Sequence, residues 1–206
     1  RLNGQTNYVL EGNVNYSGAV VKWLQEDLDL IKDAAETGQL AMQANPKDHA
    51  YLVPAFSGLG APYWNDKAEA VVWGMTRTTR KAEFVKAALN SIGFQINDVI
   101  QQMQRDVDCQ KTTLKVDGGV TKNQYLMQFQ ADITASQLLL PNFEELSGFG
   151  AVYVAGLALK LYTPTTYKQD VLYESYQPKM ISNERQSELN GWQHAVTVVN
   201  QNFVDR

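Results

Sequence analysis

Hydrophobic residues recur every three or four positions along several segments of the chain, and this spacing predicts amphipathic helices. The longest such segment runs from 80 to about 106, and another runs from 182 to 204. A third begins after Asn15 or Ser17, either of which can cap a helix whose apolar stripe reaches Ile31. The remaining predicted helices are shorter: 33–44, broken near Gly38, 123–135 and 147–162.

Short apolar runs between these helices predict strands. They lie at 51–56, 70–75, 114–116 and 138–140. Asn3-Gly4 followed by the alternating residues 8–10 predicts the turn and return strand of a hairpin. Because strands come first and later alternate with helices, we predict an α/β fold with a mixed sheet flanked by helices on both faces.

Composition narrows the class of protein. The chain has 206 residues, of which 44% are hydrophobic and 19% charged, as expected for one large globular domain. A formal net charge of -4 with 18 Lys and Arg residues argues against a nucleic-acid partner. The sequence holds no apolar run of about 18 residues, so we predict no membrane span.

Cysteine and histidine are scarce. The single Cys109 excludes an internal disulfide and is typical of a reducing cytoplasm. Its separation from His49 and His194 argues against a zinc site. Because the chain opens on Arg1 without methionine, we expect it to be a piece of a larger protein.

The segment 114–123 carries the clearest chemical signal. It reads as a strand, then the pair Gly118 and Gly119, then a helix start at which Thr121 and Gln124 form a predicted capping box. Backbone without a Cβ lies flat against a bound ring or phosphate, and a helix N-terminus attracts anions. A tight strand-to-helix turn without a ligand explains the same residues.

Several longer motifs identify a family. They are Phe56-Ser-Gly-Leu-Gly-Ala-Pro-Tyr-Trp-Asn65, Trp73-Gly-Met-Thr-Arg77, Ala87-Ala-Leu-Asn-Ser-Ile-Gly-Phe-Gln95, Val116-Asp-Gly-Gly119 and Met127-Gln-Phe-Gln130. Together they resemble the FGGY family of carbohydrate kinases, in the form found in members that act on glycerol. The resemblance runs from near residue 8 to about 162 and continues weakly beyond it.

This resemblance implies an actin-like, ribonuclease-H-like fold in two lobes, with ATP and substrate between them. Residues 1–162 are then most of the C-terminal, nucleotide-binding lobe, and 163–206 are a tail whose helix packs on the same lobe. The implied reaction transfers the γ-phosphate of ATP, with Mg²⁺, to glycerol bound by the missing N-terminal lobe. The fragment alone is expected to be inactive, and the full-length protein is expected to form a homo-oligomer.

The resemblance also assigns four ATP-binding residues: Gly18, Lys22, Gly119 and Asn123. Gly18 and Lys22 are four positions apart and share one helix face. The amide of Asn123 can both donate and accept a hydrogen bond to a purine or ribose. Lys22 stands where the family usually has glutamine, and Glu69 stands where it usually has arginine. These departures imply altered nucleotide affinity or little activity.

No catalytic residue is expected in this chain, because the family's catalytic aspartate lies in an earlier segment. We predict instead that Asp117 fixes the glycine turn by accepting backbone N–H groups. Tyr63 and Trp64 are predicted to pack their loop against the lobe. A lysine-containing phosphate loop, Gly-x-x-x-x-Gly-Lys-Ser/Thr, is absent from the sequence.

Three alternatives stay open. The first is an FGGY kinase acting on another sugar or polyol, such as xylulose or gluconate. The second is a non-catalytic, divergent nucleotide-binding module, suggested by Lys22 and Glu69. The third is a dinucleotide oxidoreductase that uses the Gly118-Gly119 turn, although the sequence has no Gly-x-Gly-x-x-Gly after a strand.

Overall fold

The computed structural model describes residue 6 and residues 8–108, 113–142, 146–163 and 172–202. Its helices are α1 (Gly18–Lys22), α2 (Glu36–Gln43), α3 (Lys81–Val107), α4 (Gln124–Thr134), α5 (Leu146–Ala158) and α6 (Ser182–Asn202). Its strands are β1 (Tyr51–Val53), β2 (Val71–Trp73), β3 (Thr113–Lys115), β4 (Gln137–Pro141) and β5 (Tyr173–Tyr176). This succession of helices and short strands confirms the predicted α/β class.

The first helix is shorter than its apolar stripe predicts. α1 passes directly into one π-helical turn, Trp23–Asp27, and helical hydrogen bonding ends there instead of reaching Ile31. A π-helical turn bonds five residues back, so it rotates the following side chains off the original helix face. Leu28 is therefore partly exposed. Ser17 is the N-cap residue of α1, as one of the two predictions had it, but its side chain makes no capping hydrogen bond.

Two further predictions fail. α2 crosses Gly38 without a break and begins at Glu36, whose N–H donates to the Asp33 carboxylate at 3.1 Å. Residues 8–10 form no strand, and Tyr8 is 93% exposed. A strand needs a paired neighbour, and none of the described strands pairs with this segment. The proposed turn at Asn3-Gly4 lies outside the described residues.

Two small sheets organise the strands. β1 and β2 pair antiparallel, and the second sheet has the order β3-β4-β5. β3 runs parallel to β4, with Leu114 opposite Leu138, while β5 is antiparallel to β4. Parallel neighbours need a crossover connection, and α4 is that crossover. The carboxyl end of β3 therefore leads straight into the segment that contains the two adjacent glycines.

Helix α3 is the common element of the core. Each of the three hydrophobic clusters includes its residues, for example Phe94 in one, Ile92 in the second and Val85 in the third. α2, α4 and β1 all pack against it. At Gly93 the approach of α4 is so close that an added Cβ would lie 2.8 Å from the ring of Phe129.

The buried carboxylate of Asp98 joins three parts of the fold. One oxygen accepts from the Tyr63 hydroxyl at 2.7 Å and from the Trp192 indole N–H at 2.6 Å. The other accepts from the Gln193 amide at 3.0 Å. Burial raises the pKa of the Asp98 carboxyl, and the three donors oppose that rise. This Asp98 network ties α3 to α6 and to the loop that carries Tyr63.

The loop between β1 and β2 is held by its own backbone. Leu59 and Asn65 exchange both of their backbone hydrogen bonds, at 2.7 Å and 3.0 Å. Trp64 lies in the left-handed region, with φ of 52°, and is 80% exposed. The predicted packing of this loop is therefore confirmed for Tyr63, through Asp98, and wrong for Trp64.

The two C-terminal helices differ in burial. α6 places Trp192, Val196 and Val199 in the core. α5 leaves Val152 and Val154 largely exposed. Within the described part of the chain, no helix is both long enough and apolar enough to cross a membrane.

Removing the Asp98 carboxylate tests its role in stability. We expect Asp98→Ala to lower the free energy of unfolding by at least about 3 kcal/mol, because three donors lose their acceptor. Urea unfolding of the protein measures this. Asp106→Ala, at an exposed position of the same helix, is the matched control and should change little. Equal losses for the two variants would contradict the assigned role.

Glu83 joins the start of α3 to the end of α2. Its carboxylate accepts the backbone N–H groups of Asn45 and Arg80, each at 2.8 Å. The bond from Asn45, helped by that from Arg80, lowers the pKa of Glu83 below its ordinary value of 4.5. Because the folded-state pKa is the lower one, this stabilisation is complete above the unfolded pKa. It is lost as the pH falls through the folded pKa.

The stability effect of Glu83→Gln should therefore depend on pH. At pH 7 we expect the free energy of unfolding to fall by about 1 kcal/mol, the value of a helix cap. At an acidic pH below the lowered folded-state pKa the loss should vanish, because the wild-type carboxyl is then protonated too. Urea unfolding at the two pH values measures the difference. A loss of the same size at both would show that the carboxylate charge is irrelevant.

Candidate functional site

The glycine turn after β3 borders open space. Gly118 has a φ of 102°, a conformation that favours glycine. A Cβ added to Gly118 or Gly119 would meet no heavy atom of the described residues within 4 Å. Gly119 does not lie in the left-handed region, so neither backbone conformation nor packing against the described residues requires glycine there. Both glycines are exposed, so their bare backbone is accessible from solvent.

The helix after this turn begins within one residue of the predicted range 123–135, but Thr121 is not its cap. Gly119–Lys122 form a 3-10 turn, and the N-cap of α4 is Asn123, whose side-chain oxygen accepts from Leu126 N–H at 3.1 Å. The Thr121 hydroxyl instead donates to the Gly118 carbonyl at 2.7 Å. The predicted capping box is therefore wrong, because the 3-10 turn moves the start of the helix two residues along the chain.

The carboxamide of Asn123 has a partner on each of its two polar atoms. Besides the cap, its Nδ2 donates to the Thr37 hydroxyl at 2.9 Å. An amide has two N–H donors and two oxygen lone pairs, so one of each remains for a ligand. Asn123 is half-buried and directly follows the 3-10 turn that begins at Gly119.

Gly18 lies next to the same turn. An added Cβ on Gly18 would be 3.9 Å from the Val120 side chain, and Val21 and Val120 pack on one hydrophobic cluster. Val120 directly follows Gly119, so the structure brings Gly18, Gly119 and Asn123 into one neighbourhood. Lys22 is exposed at the end of α1, and its ammonium group has no hydrogen-bond or ion-pair partner among the described residues.

Asp117 accepts a backbone N–H, but from a different element than predicted. The donor is Leu146, the first residue of α5, at 3.0 Å. The carboxylate therefore fixes the start of α5. Its negative charge also stabilises that helix, since a helix N-terminus is partly positive. The prediction that Asp117 fixes the glycine turn is wrong.

Two residues of α2 belong to the site and were not predicted. Thr37 is fully buried and accepts from Asn123, 86 positions away in sequence. An added Cβ on Gly38 would lie 2.9 Å from the Asn123 side-chain oxygen. No local pattern signals such a contact, because it depends on how α2 and α4 pack on α3.

The described residues contain no group of three or more His, Cys, Asp or Glu side chains that could hold a metal ion.

The chain is similar in sequence to known carbohydrate kinases. The model of the C-terminal domain of the FGGY family of carbohydrate kinases matches residues 2–159. The glycerol kinase of Clostridium beijerinckii is 40% identical over 200 residues, which are 95% of this chain and 40% of that protein. The glycerol kinase of Halobacterium salinarum is 41% identical over 199 residues, covering 95% of this chain and 39% of that protein. The chain thus spans about 40% of the length of the curated relatives it matches.

Solved structures of carbohydrate kinases have a similar fold. Plasmodium falciparum glycerol kinase, solved with ADP, matches with a TM-score of 0.80 and 31% identity over 88% of this chain and 37% of that one. A gluconate kinase from Lactobacillus acidophilus has a TM-score of 0.76 at 20% identity, covering 93% of this chain and 39% of that one. The second likeness concerns the fold alone.

The two adjacent glycines should respond differently to a methyl group. We expect Gly118→Ala to lower the free energy of unfolding by about 1–3 kcal/mol, because φ of 102° strains any other residue. Gly119→Ala should leave stability within about 0.5 kcal/mol, because its Cβ enters open space. Urea unfolding of both variants measures this. A large loss for Gly119→Ala would mean that the fold itself requires this glycine.

Proposed function

The chain belongs to the FGGY family of carbohydrate kinases, and we propose that it is the nucleotide-binding part of a protein that transfers the γ-phosphate of ATP to glycerol. The family and the actin-like fold predicted from the motifs are thereby confirmed. One observation carries the proposed site: open space beside Gly118 and Gly119, in a segment whose Val120 lies next to Gly18 and whose Asn123 caps α4. The glycerol kinases at about 40% identity support the choice of substrate.

Each residue of the proposed site has a separate role. Gly119 offers flat backbone to the adenosine part of ATP. Asn123 supplies one donor and one acceptor to the purine or ribose. Gly18 allows the nucleotide to approach α1 without a side chain. Lys22, one turn further on, directs an ammonium group to the ribose or the phosphates, where the family's usual glutamine is neutral.

The chemical step needs more than this chain. Phosphoryl transfer depends on positioning and on neutralising phosphate charge, and a second lobe completes both. Mg²⁺ would supply part of that neutralisation when bound. The catalytic aspartate and the glycerol-binding residues belong to the other lobe. We propose that the full-length protein acts in the cytoplasm as a homo-oligomer.

A second candidate function rests on Lys22. Lys22 places a mobile cation where the family's glutamine has an amide that both donates and accepts, which changes the contacts of α1 with a nucleotide. This substitution favours a divergent module that binds nucleotide without turnover. The two candidates differ in one measurement, the phosphorylation of glycerol by the full-length protein.

Steady-state kinetics of the full-length protein test the proposal. We expect ATP-dependent phosphorylation of glycerol, with xylulose and gluconate much poorer substrates. Asn123→Ser keeps an oxygen at the N-cap but removes the amide, so the KM for ATP should rise about tenfold, equivalent to one lost hydrogen bond. The KM for glycerol should not change, because glycerol is bound elsewhere.

The 206-residue chain alone is the natural control, and it should show no turnover. Glycerol phosphorylation by this chain alone would contradict the division of the active site between lobes. ATP binding by the full-length protein without phosphorylation of any tested polyol or sugar would favour the module instead.

A further inference from the structure

Two adjacent residues of α2, Thr37 and Gly38, contact the carboxamide of Asn123. Thr37 is fully buried and receives the Nδ2 hydrogen bond at 2.9 Å, and Gly38 leaves the space that Oδ1 occupies. We propose that Thr37 is a positioning residue for nucleotide binding: with Gly38 it fixes the orientation of the Asn123 amide. This inference rests on the proposed nucleotide site.

The hydrogen-bond chain permits only one orientation of that amide. The Thr37 hydroxyl donates its single proton to the Ala34 carbonyl at 2.6 Å, so toward Asn123 it acts as an acceptor. Leu126 N–H, on the other side, acts only as a donor. If the amide were flipped, its Nδ2 would face the Leu126 N–H, which is also a donor. Its Oδ1 would face the Thr37 hydroxyl oxygen, which is also an acceptor. It would lose both bonds, and full burial of Thr37 keeps water from replacing the first.

Gly38 supports the same arrangement by steric means. A Cβ at this position would lie 2.9 Å from Oδ1 and 3.4 Å from Cγ of Asn123. Glycine within a helix is normally unfavourable, and here the close approach of a side chain from α4 accounts for it. An alanine at 38 would therefore displace the amide without removing any hydrogen-bonding group.

The consequence is a pre-oriented ligand-binding group. Once Nδ2 points to α2 and Oδ1 to α4, the remaining donor and acceptor of Asn123 have fixed directions. A nucleotide then binds without first ordering the side chain, which lowers the entropic cost of binding. α2 thus contributes to nucleotide affinity although Thr37, being fully buried, has no surface for a ligand.

A double-mutant cycle on the full-length protein tests this role, with the dissociation constant of ATP measured by calorimetry. In the wild-type background we expect Thr37→Val to weaken ATP binding about fivefold or more, a coupling of the size found between contacting residues. Thr37→Ser, which keeps the hydroxyl, should bind nearly as wild type does. In the Asn123→Ser background, Thr37→Val should have no further effect.

Gly38→Ala provides a second variant in case Thr37→Val fails to fold. It too should weaken ATP binding several-fold when Asn123 is present and not when position 123 is serine. Gln39→Ala, at the next and exposed position of α2, is the matched control and should leave affinity unchanged.

The outcomes separate the two claims. If Thr37→Val and Gly38→Ala each weakened ATP binding as much with serine at position 123 as with Asn123, the positioning role would be overturned. The two substitutions would then act through the general stability of the protein. Loss of affinity in Asn123→Ser with none in either α2 variant would also overturn it while leaving the nucleotide site intact. Unchanged affinity in Asn123→Ser would overturn the proposed nucleotide contact itself.

Discussion

Helix α3 is largely buried between Glu83 and Val99, and the rest of the structure depends on this constraint. A helix of 27 residues can be covered only if several elements pack on it from different sides. α2 and α4 both do so, and they therefore meet each other across its surface. The hydrogen bond between Thr37 and Asn123 is a result of that meeting. The candidate site is thus assembled by the core and not by a local motif.

Burial of α3 also places polar groups where water does not reach. Asp98 is accommodated because Tyr63, Trp192 and Gln193 donate to it from two other elements. The same bonds hold α6 and the loop between β1 and β2 in place. The open turn at Gly118 and Gly119 lies beside this core, because Val120 packs on the cluster that contains Leu89 and Ile92 of α3. Sites built on packed elements position a ligand more precisely than sites built on loops alone.

The long periodic elements could be predicted from sequence, since α3 differs from its predicted range by only one residue at each end. Short irregular turns within or before helices could not be predicted in this way. The π-helical turn at Trp23–Asp27 and the 3-10 turn at Gly119–Lys122 both break the helical period over four or five residues, too few to change the hydrophobic pattern. Of the proposed site, Gly119 and Asn123 were predicted through their motif. Thr37 was not, because its contact with Asn123 spans 86 positions.

Hydrogen–deuterium exchange of the full-length protein with and without ATP tests whether the glycine turn binds nucleotide. We expect ATP to slow exchange in peptides that cover Gly118–Asn123 and the start of α1, where the nucleotide covers backbone N–H groups. Peptides from α6 should not change, because that helix is already held by the core. Protection confined to other segments, with exchange at the glycine turn unaltered by saturating ATP, would mean that the nucleotide binds elsewhere.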